Sequence, residues 1–210
     1  MQLENPSANN RISIFGNIIG GPFYSHDVYG EAFYNFSLRT QRLSQSYDLL
    51  PITISERIID VKEFVEKRDV YILGQIRSYN NYIEEENRNK LVLTIFAKDC
   101  QIIDEVYTKN PNEVFLDGFV CKAPVYRTTP FGREIADILV AVNRSYNKSD
   151  YIPCITWGRN ARFSEKLNVG DNIKLWGRMQ SRSYQKKLAE GDVIEKIAYE
   201  VSVSKIERSI

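Results

Sequence analysis

Histidine occurs once in the 210 residues, as His26, and the three cysteines, Cys100, Cys121 and Cys154, never form a CxxC pair. A zinc site built from Cys and His has no donor set here, and a histidine base has one candidate, in a turn-like segment. Each cysteine sits in an apolar, strand-like context, which reads as a small core residue rather than a disulfide partner or metal ligand. No apolar run approaches the roughly 18 residues that a membrane-spanning helix needs. The start MQLENPSANN is polar rather than signal-like, so a cytoplasmic protein with no membrane contact is the expectation. The sequence also lacks a nucleotide-cradling glycine loop, a nucleophile–base pair and an Asp/Glu cluster on adjacent predicted strands. It is therefore expected not to be an enzyme and to need no cofactor.

The formal net charge is only +1, but it is unevenly shared. Residues 1–108 hold 11 Lys and Arg against 15 Asp and Glu, net −4; residues 109–210 hold 17 against 12, net +5. Only the second half has the sign that suits phosphate.

The chain repeats itself at an offset of 102. Gly16, Pro22, Tyr24, Gly30, Arg42, Asp48 and Pro51 match Gly118, Pro124, Tyr126, Gly132, Arg144, Asp150 and Pro153. These are seven identities in 36 positions, where average frequencies give about two. Further on, VYILGQIRS (70–78) parallels IKLWGRMQS (173–181) at an offset of 103. Two copies of one module, residues 1–108 and 109–210, explain this, with the join near TKNPNE at 108–113.

Each copy reads as mostly β. RISIFGNII and EVFLDGFV alternate around a central glycine, which suggests a bulge or a close backbone approach. EAFYNFSLRT and EIADILVAVNR follow as second strands, LPITISE and YIPCITWG as third strands. A helix comes next, carrying Ile58, Val61, Phe64 and Val65 in the first copy; in the second, Asn160 caps a shorter one with Phe163 and Leu167. Two further strands close each copy, the last being KLVLTIFAK and IAYEVSVSKI. Three strands, a helix and two strands is the order of a five-stranded Greek-key OB barrel, so the expected fold is all-β, two such barrels in tandem.

Alternation on YIPCITW puts Tyr151, Pro153, Ile155 and Trp157 on one face, and Ile152, Cys154 and Thr156 on the other. On the preceding strand Ala136, Ile138, Val140 and Val142 form a core face. Ile135, Asp137, Leu139 and Ala141 form a second, largely apolar face that must meet a ligand or another subunit. The loop 144–150 carries Arg144, Tyr146 and Lys148; SRSYQKKLAEGDVIEK carries Arg182, Tyr184, Lys186 and Lys187. Lys174, Trp176 and Arg178 share a face of the fourth strand. Rings interleaved with cations suit single-stranded nucleic acid, because rings stack on unpaired bases while Lys and Arg follow the phosphates. The competing readings are packing or a subunit contact for Tyr151 and Trp157, an interface or core position for Trp176, and a solvated hairpin for 181–195.

On GREIADILVAVNRSY, DYIPCITWGRNARFSEKLNVGDNIKLWGRMQSRSY and YEVSVSKIE, the second copy resembles the bacterial single-stranded DNA-binding protein family. The resemblance covers nearly all of residues 110–208. It implies that Tyr146, Tyr151, Trp157 and Tyr184 fall on base-stacking places, with tyrosine standing for the family's usual tryptophan at several. It further implies sequence-independent binding and protection of single-stranded DNA, in replication, recombination or repair, with RNA as the other single-stranded candidate. Four barrels per particle, common in that family, would be reached by a homodimer of this chain. Family members typically end in a flexible tail with an acidic tip that recruits replication enzymes. Here the sequence stops at KIERSI, so recruitment of that kind is not expected. At the 102 offset the first copy replaces Tyr146 and Tyr151 by Ser44 and Leu49, and Trp157 by Ile54 or Ser55. Tyr79, Tyr82 and Arg77 remain, but Glu84, Glu85 and Glu86 repel phosphate, and the first copy reads as mainly architectural. The alternative is a primosome-like assembly or adaptor protein of OB-folds that binds nucleic acid weakly.

Overall fold

The computed structural model describes residues 9–63, 67–83, 88–104, 111–187 and 193–209. The first copy supplies β1 (Asn10–Val28), β2 (Glu31–Gln41), β3 (Tyr47–Ser55), a 3-10 turn at Val61–Glu63, β4 (Asp69–Ile83) and β5 (Arg88–Ile102). β1 bonds both β2 and β4, β2 bonds β3, β4 bonds β5, and β3 meets β5 in parallel, so five strands close on themselves. The second copy supplies β6 (Asn112–Val120), β7 (Val125–Thr128), β8 (Glu134–Arg144), β9 (Lys148–Trp157), α1 (Arg159–Ser164), β10 (Asn172–Lys187) and β11 (Val193–Arg208). Its closure is the same, with β6 bonded to β8 and β10 and a short parallel contact between β9 and β11. The fold is two OB-fold Greek-key barrels in tandem. The extra strand β7 corresponds to the far end of β1. In the first copy that strand continues through a register shift between Ile19 and Phe23; in the second it breaks around Pro124.

Two local expectations change. Between β3 and β4 the described backbone is a single 3-10 turn rather than an α-helix, with Ile58 and Ile59 packed on the core. The Phe64 and Val65 side chains, and that of Val61, lie outside the described residues. In the second copy the helix is capped by Gly158, at φ 52°, and not by Asn160. Asn160 lies inside the first turn and donates its side-chain amide to the Ser204 carbonyl. Leu167, expected on the helix, follows it and is buried.

The central glycines are needed for close approach. A Cβ at Gly16 would collide with the Arg39 carbonyl oxygen, and one at Gly118 with that of Ala141. Each glycine lets its strand bend tightly against the next, as barrel closure requires.

The barrels are joined edge to edge by β1 and β6, antiparallel, with Ile12 opposite Val114. Those two residues are the same position in the two copies, so the pairing is symmetric about them: Asn10 faces Leu116 and Ile14 faces Asn112. Asn10 donates to and accepts from the backbone of Ile76 at 2.8 and 2.9 Å, and Asn112 does the same with Met179. One sheet and one contiguous core, from Ile12 and Ile14 to Leu175 and Val203, therefore run through both barrels.

Candidate nucleic-acid interface

The Arg and Asp that both copies retain lock the barrels together. Asp48, fully buried, accepts hydrogen bonds from Arg42 of its own barrel. It also accepts from the Ser181 backbone and Arg178 guanidinium of the other barrel, both at 2.7 Å. Asp150 mirrors it, accepting from the Ser78 backbone N–H at 2.8 Å and Arg77 at 2.9 Å across the seam, with Arg144 of its own barrel at 3.6 Å. Tyr151 N–H then donates to Ser78 Oγ at 2.7 Å, which fixes the start of β9 against the first barrel. Burial pulls the Arg178 pKa down against the opposing pull of Asp48, while the hydrogen bond to Asp48 raises that of Arg42. Arg144 and Arg178, expected among the phosphate contacts, are thus engaged with buried carboxylates at the seam.

β9 presents its rings as its alternation requires. Ile152, Cys154 and Thr156 are buried, while Tyr151 and Trp157 stand on the outer side, 44% and 39% exposed. Ile155, on that same side, is only 5% exposed. Trp157 donates from its indole N–H to Ser202 Oγ at 3.3 Å, which holds the ring edge while part of the ring stays open. Strand pairing sets Trp157 beside Ile135 as it sets Ser55 beside Phe33, so Ser55 is the first copy's counterpart of Trp157. On β8, Ala136, Ile138, Val140 and Val142 are buried, as their alternation predicts.

Tyr146 stands at the tip of the β8–β9 turn. It and Asn147 have φ of 63° and 54°, the left-handed pair of a tight hairpin turn. This geometry leaves Tyr146 94% exposed. Lys148 beside it is exposed and makes no ion pair among the described residues. Tyr184, 36% exposed, lies on the β10–β11 arm with the Arg182 guanidinium 5.9 Å from its ring centre. Arg182 also approaches Glu200 at 3.6 Å. The Lys186 and Lys187 side chains and residues Glu84, Glu85 and Glu86 lie outside the described residues.

Trp176 and Lys174 belong to another surface. Trp176 packs against Phe115 at 5.2 Å with Lys205 Nζ 4.4 Å above its ring, and Lys174 reaches Asp117 at 3.8 Å. With Arg11, Tyr71 and Leu73, Trp176 and Phe115 line a hollow of about 360 Å³ on the joined sheet. None of Tyr146, Tyr151, Trp157 and Tyr184 lines it.

His26 stacks on Phe33 at 5.0 Å. Cys100 and Cys154 are buried free thiols, and burial pushes Cys100 up to about 12 and Cys154 higher still. The bridging roles of Asp48 and Asp150 escaped the sequence reading. The available signal was that Arg42 and Asp48 are retained in a copy that has lost the rings.

A sequence profile of the Single-strand binding protein family matches residues 111–209. The chain is similar to single-stranded DNA-binding protein 1 of Staphylococcus aureus (strain COL), 37% identical, the match covering 35% of this chain and 48% of that protein. It is 33% identical to single-stranded DNA-binding protein B of Bacillus subtilis (strain 168), covering 35% of this chain and 72% of that one. The chain spans about half the length of most of the curated relatives it matches. Among solved structures, the wild-type single-stranded DNA binding protein from Thermus aquaticus superposes with a TM-score of 0.73 at 16% identity, over 96% of this chain and 93% of that one. That likeness concerns the fold.

Proposed function

This chain belongs to the single-strand binding protein family, and we propose that it binds and protects single-stranded DNA without sequence preference, in cytoplasmic replication, recombination or repair. The second barrel, residues 109–210, carries the main stacking surface; the first, residues 1–108, holds it in place through the seam. The observation that carries this reading is the outer row of β9. Tyr151 and Trp157 are exposed there, Tyr146 stands at the adjoining turn, and the first copy has Leu49, Ser55 and Ser44 instead. Rings dispensable to one barrel serve binding rather than folding in the other. Each stacked base contributes roughly 1–3 kcal/mol whatever its identity. Lys148 and Arg182 are placed to follow phosphates, and no bond is made or broken.

A homodimer, giving four barrels, is part of the same proposal. The hollow of Trp176, Phe115, Tyr71 and Leu73, edged by Arg11, Ser13 and Glu113, offers rings and charges of both signs to a second copy. The rival reading, an assembly or adaptor protein, gives the β9 rings to a subunit contact instead, and Tyr151→Ala with Trp157→Ala would then disturb oligomerisation rather than DNA affinity. Micromolar protein is expected to bind a dT oligomer of about 35 nucleotides at low salt, a length in keeping with several OB-folds, with quenching of tryptophan fluorescence. Absence of binding and of quenching would sink the proposal. Parallel titrations with RNA and duplex DNA separate the possible nucleic-acid ligands.

A further inference from the structure

The first barrel has lost the β9 type of ring, yet a wide cleft opens on it. This cleft, about 810 Å³, lies between the outer face of the first barrel and the Arg144–Lys148 turn of the second. Its cations are Arg77, Lys98, Arg144 and Lys148, and among the described residues no carboxylate lines it. Asp150, behind the wall, is shared by Arg77 and Arg144 and offsets only part of that charge. Lys98 Nζ sits 5.0 Å from the Phe96 ring centre, and burial, then the neighbouring Arg77, pulls its pKa down. The floor is neutral and polar: Asn35 donates to Ser25, and Thr53 donates to Asn35 and meets Thr94.

The corresponding place on the second barrel has the opposite character. Strand register aligns Arg77, Thr94, Phe96 and Lys98 with Gln180, Glu200, Ser202 and Ser204. It also aligns Asn35 and Thr53 with Asp137 and Ile155. A cation becomes an amide, a hydroxyl becomes the carboxylate of Glu200, and the Phe96–Lys98 pair becomes two serines. Arg77 is used at the seam by Asp150, but fold maintenance does not require the Phe96–Lys98 pair, since the second barrel closes through the same strand pairings with two serines there. Charge and rings together match one occupant, a polyanion with flat, unstacked bases. Tyr79 on β4 and Tyr146 on the turn, 55% and 94% exposed, supply ring faces at the cleft.

We propose that this cleft is a second contact for single-stranded DNA, with phosphates over Lys98 and Lys148 and bases against Tyr79 and Tyr146. Tyr146 then hands the strand from the second barrel to the first. The inference rests on single-stranded DNA being the ligand, as read above.

The test is the number of nucleotides occluded per chain on poly(dT) at low salt, for wild type and for a Tyr79→Ala/Lys98→Ala variant. Both side chains are exposed, so folding is expected to survive, and a thermal melt checks it. The variant should occlude fewer nucleotides and show a shallower salt dependence by about 0.7 in log–log slope, the value for one lost single-strand phosphate contact. It should still bind a dT oligomer of about 10 nucleotides, which one barrel accommodates, as wild type does. An unchanged site size and slope would overturn the proposal. Photocrosslinking wild type to an oligomer carrying 5-iodouracil gives an independent reading: adducts on Tyr79 or Phe96 support the cleft, and adducts confined to Tyr151, Trp157 and Tyr184 contradict it. If wild type bound no single-stranded DNA at all, the functional reading and this inference would fall together; a changeless variant of a binding protein removes only the inference.

Discussion

At the scale of single residues, the cations and rings of the second barrel divide into those held by the fold and those open to a ligand. Tyr151 and Trp157 are half-exposed on β9, and replacing either by alanine should weaken binding about 5- to 150-fold, the equivalent of roughly 1–3 kcal/mol. Their melting temperatures should stay near that of wild type, because neither ring belongs to the core. Arg178 should behave in the reverse sense. Its guanidinium donates to buried Asp48 at 2.7 Å, so Arg178→Ala should lower the melting temperature more than it lowers DNA affinity. Lys148→Ala should leave stability alone and reduce the salt dependence of binding by about one contact. The cysteines give a separate check. With Cys100 held at about 12 and Cys154 raised further by burial, almost no thiolate is present at pH 8, and only unfolding should expose them to alkylation. Rapid native labelling of either would show that the core is not packed as described.

At the scale of elements, alternation was the legible part. It placed Ala136, Ile138, Val140 and Val142 inwards on β8 and separated Tyr151 and Trp157 from Cys154 on β9, because a strand's side chains have a period of two whatever its neighbours do. The central glycines were legible for the same reason: they interrupt an apolar alternation where a side chain would meet a neighbouring carbonyl. Gly118→Ala should cost about 1–3 kcal/mol by forcing β6 away from β8, measurable as a lower urea midpoint. The helices were less legible. The apolar spacing of Ile58 and Val61 suits a helix, yet Ile58 reaches the core from a turn. The true cap of α1 is a glycine whose positive φ, rather than a side-chain oxygen, starts the helix. Asn160 looked like a cap because asparagine commonly is one, while its amide is in fact used to tie the helix to β11 at Ser204.

At the scale of the whole molecule, the repeat was readable but the way its copies join was not. Arg42, Asp48, Arg144 and Asp150 appear in sequence as two local pairs six residues apart. In space each aspartate also crosses to the other barrel, to residues such as Ser181 and Ser78 that are remote in the chain, and no local pattern encodes such a reach. The consequence for the candidate site is direct: two of the cations expected on DNA, Arg144 and Arg178, belong to that lock. Asp48→Ala would leave Arg42 and Arg178 without their carboxylate and the Ser181 N–H without its acceptor. A loss of about 3 kcal/mol is expected, or very roughly 6–12 °C in melting temperature for a chain of this size. An unchanged melt would mean that the barrels are not held together there.

The most direct measurement is a titration of wild type and of Tyr151→Ala/Trp157→Ala with a dT oligomer of about 35 nucleotides, run at several salt concentrations beside a sizing column. Wild type should bind, more weakly as salt rises, and the double variant should lose at least tenfold in affinity, on the order of 1.4 kcal/mol, with its oligomeric state unchanged. Equal affinity in the two proteins, or a double variant that binds as wild type but falls apart on the column, would contradict the assignment of the β9 rings to DNA.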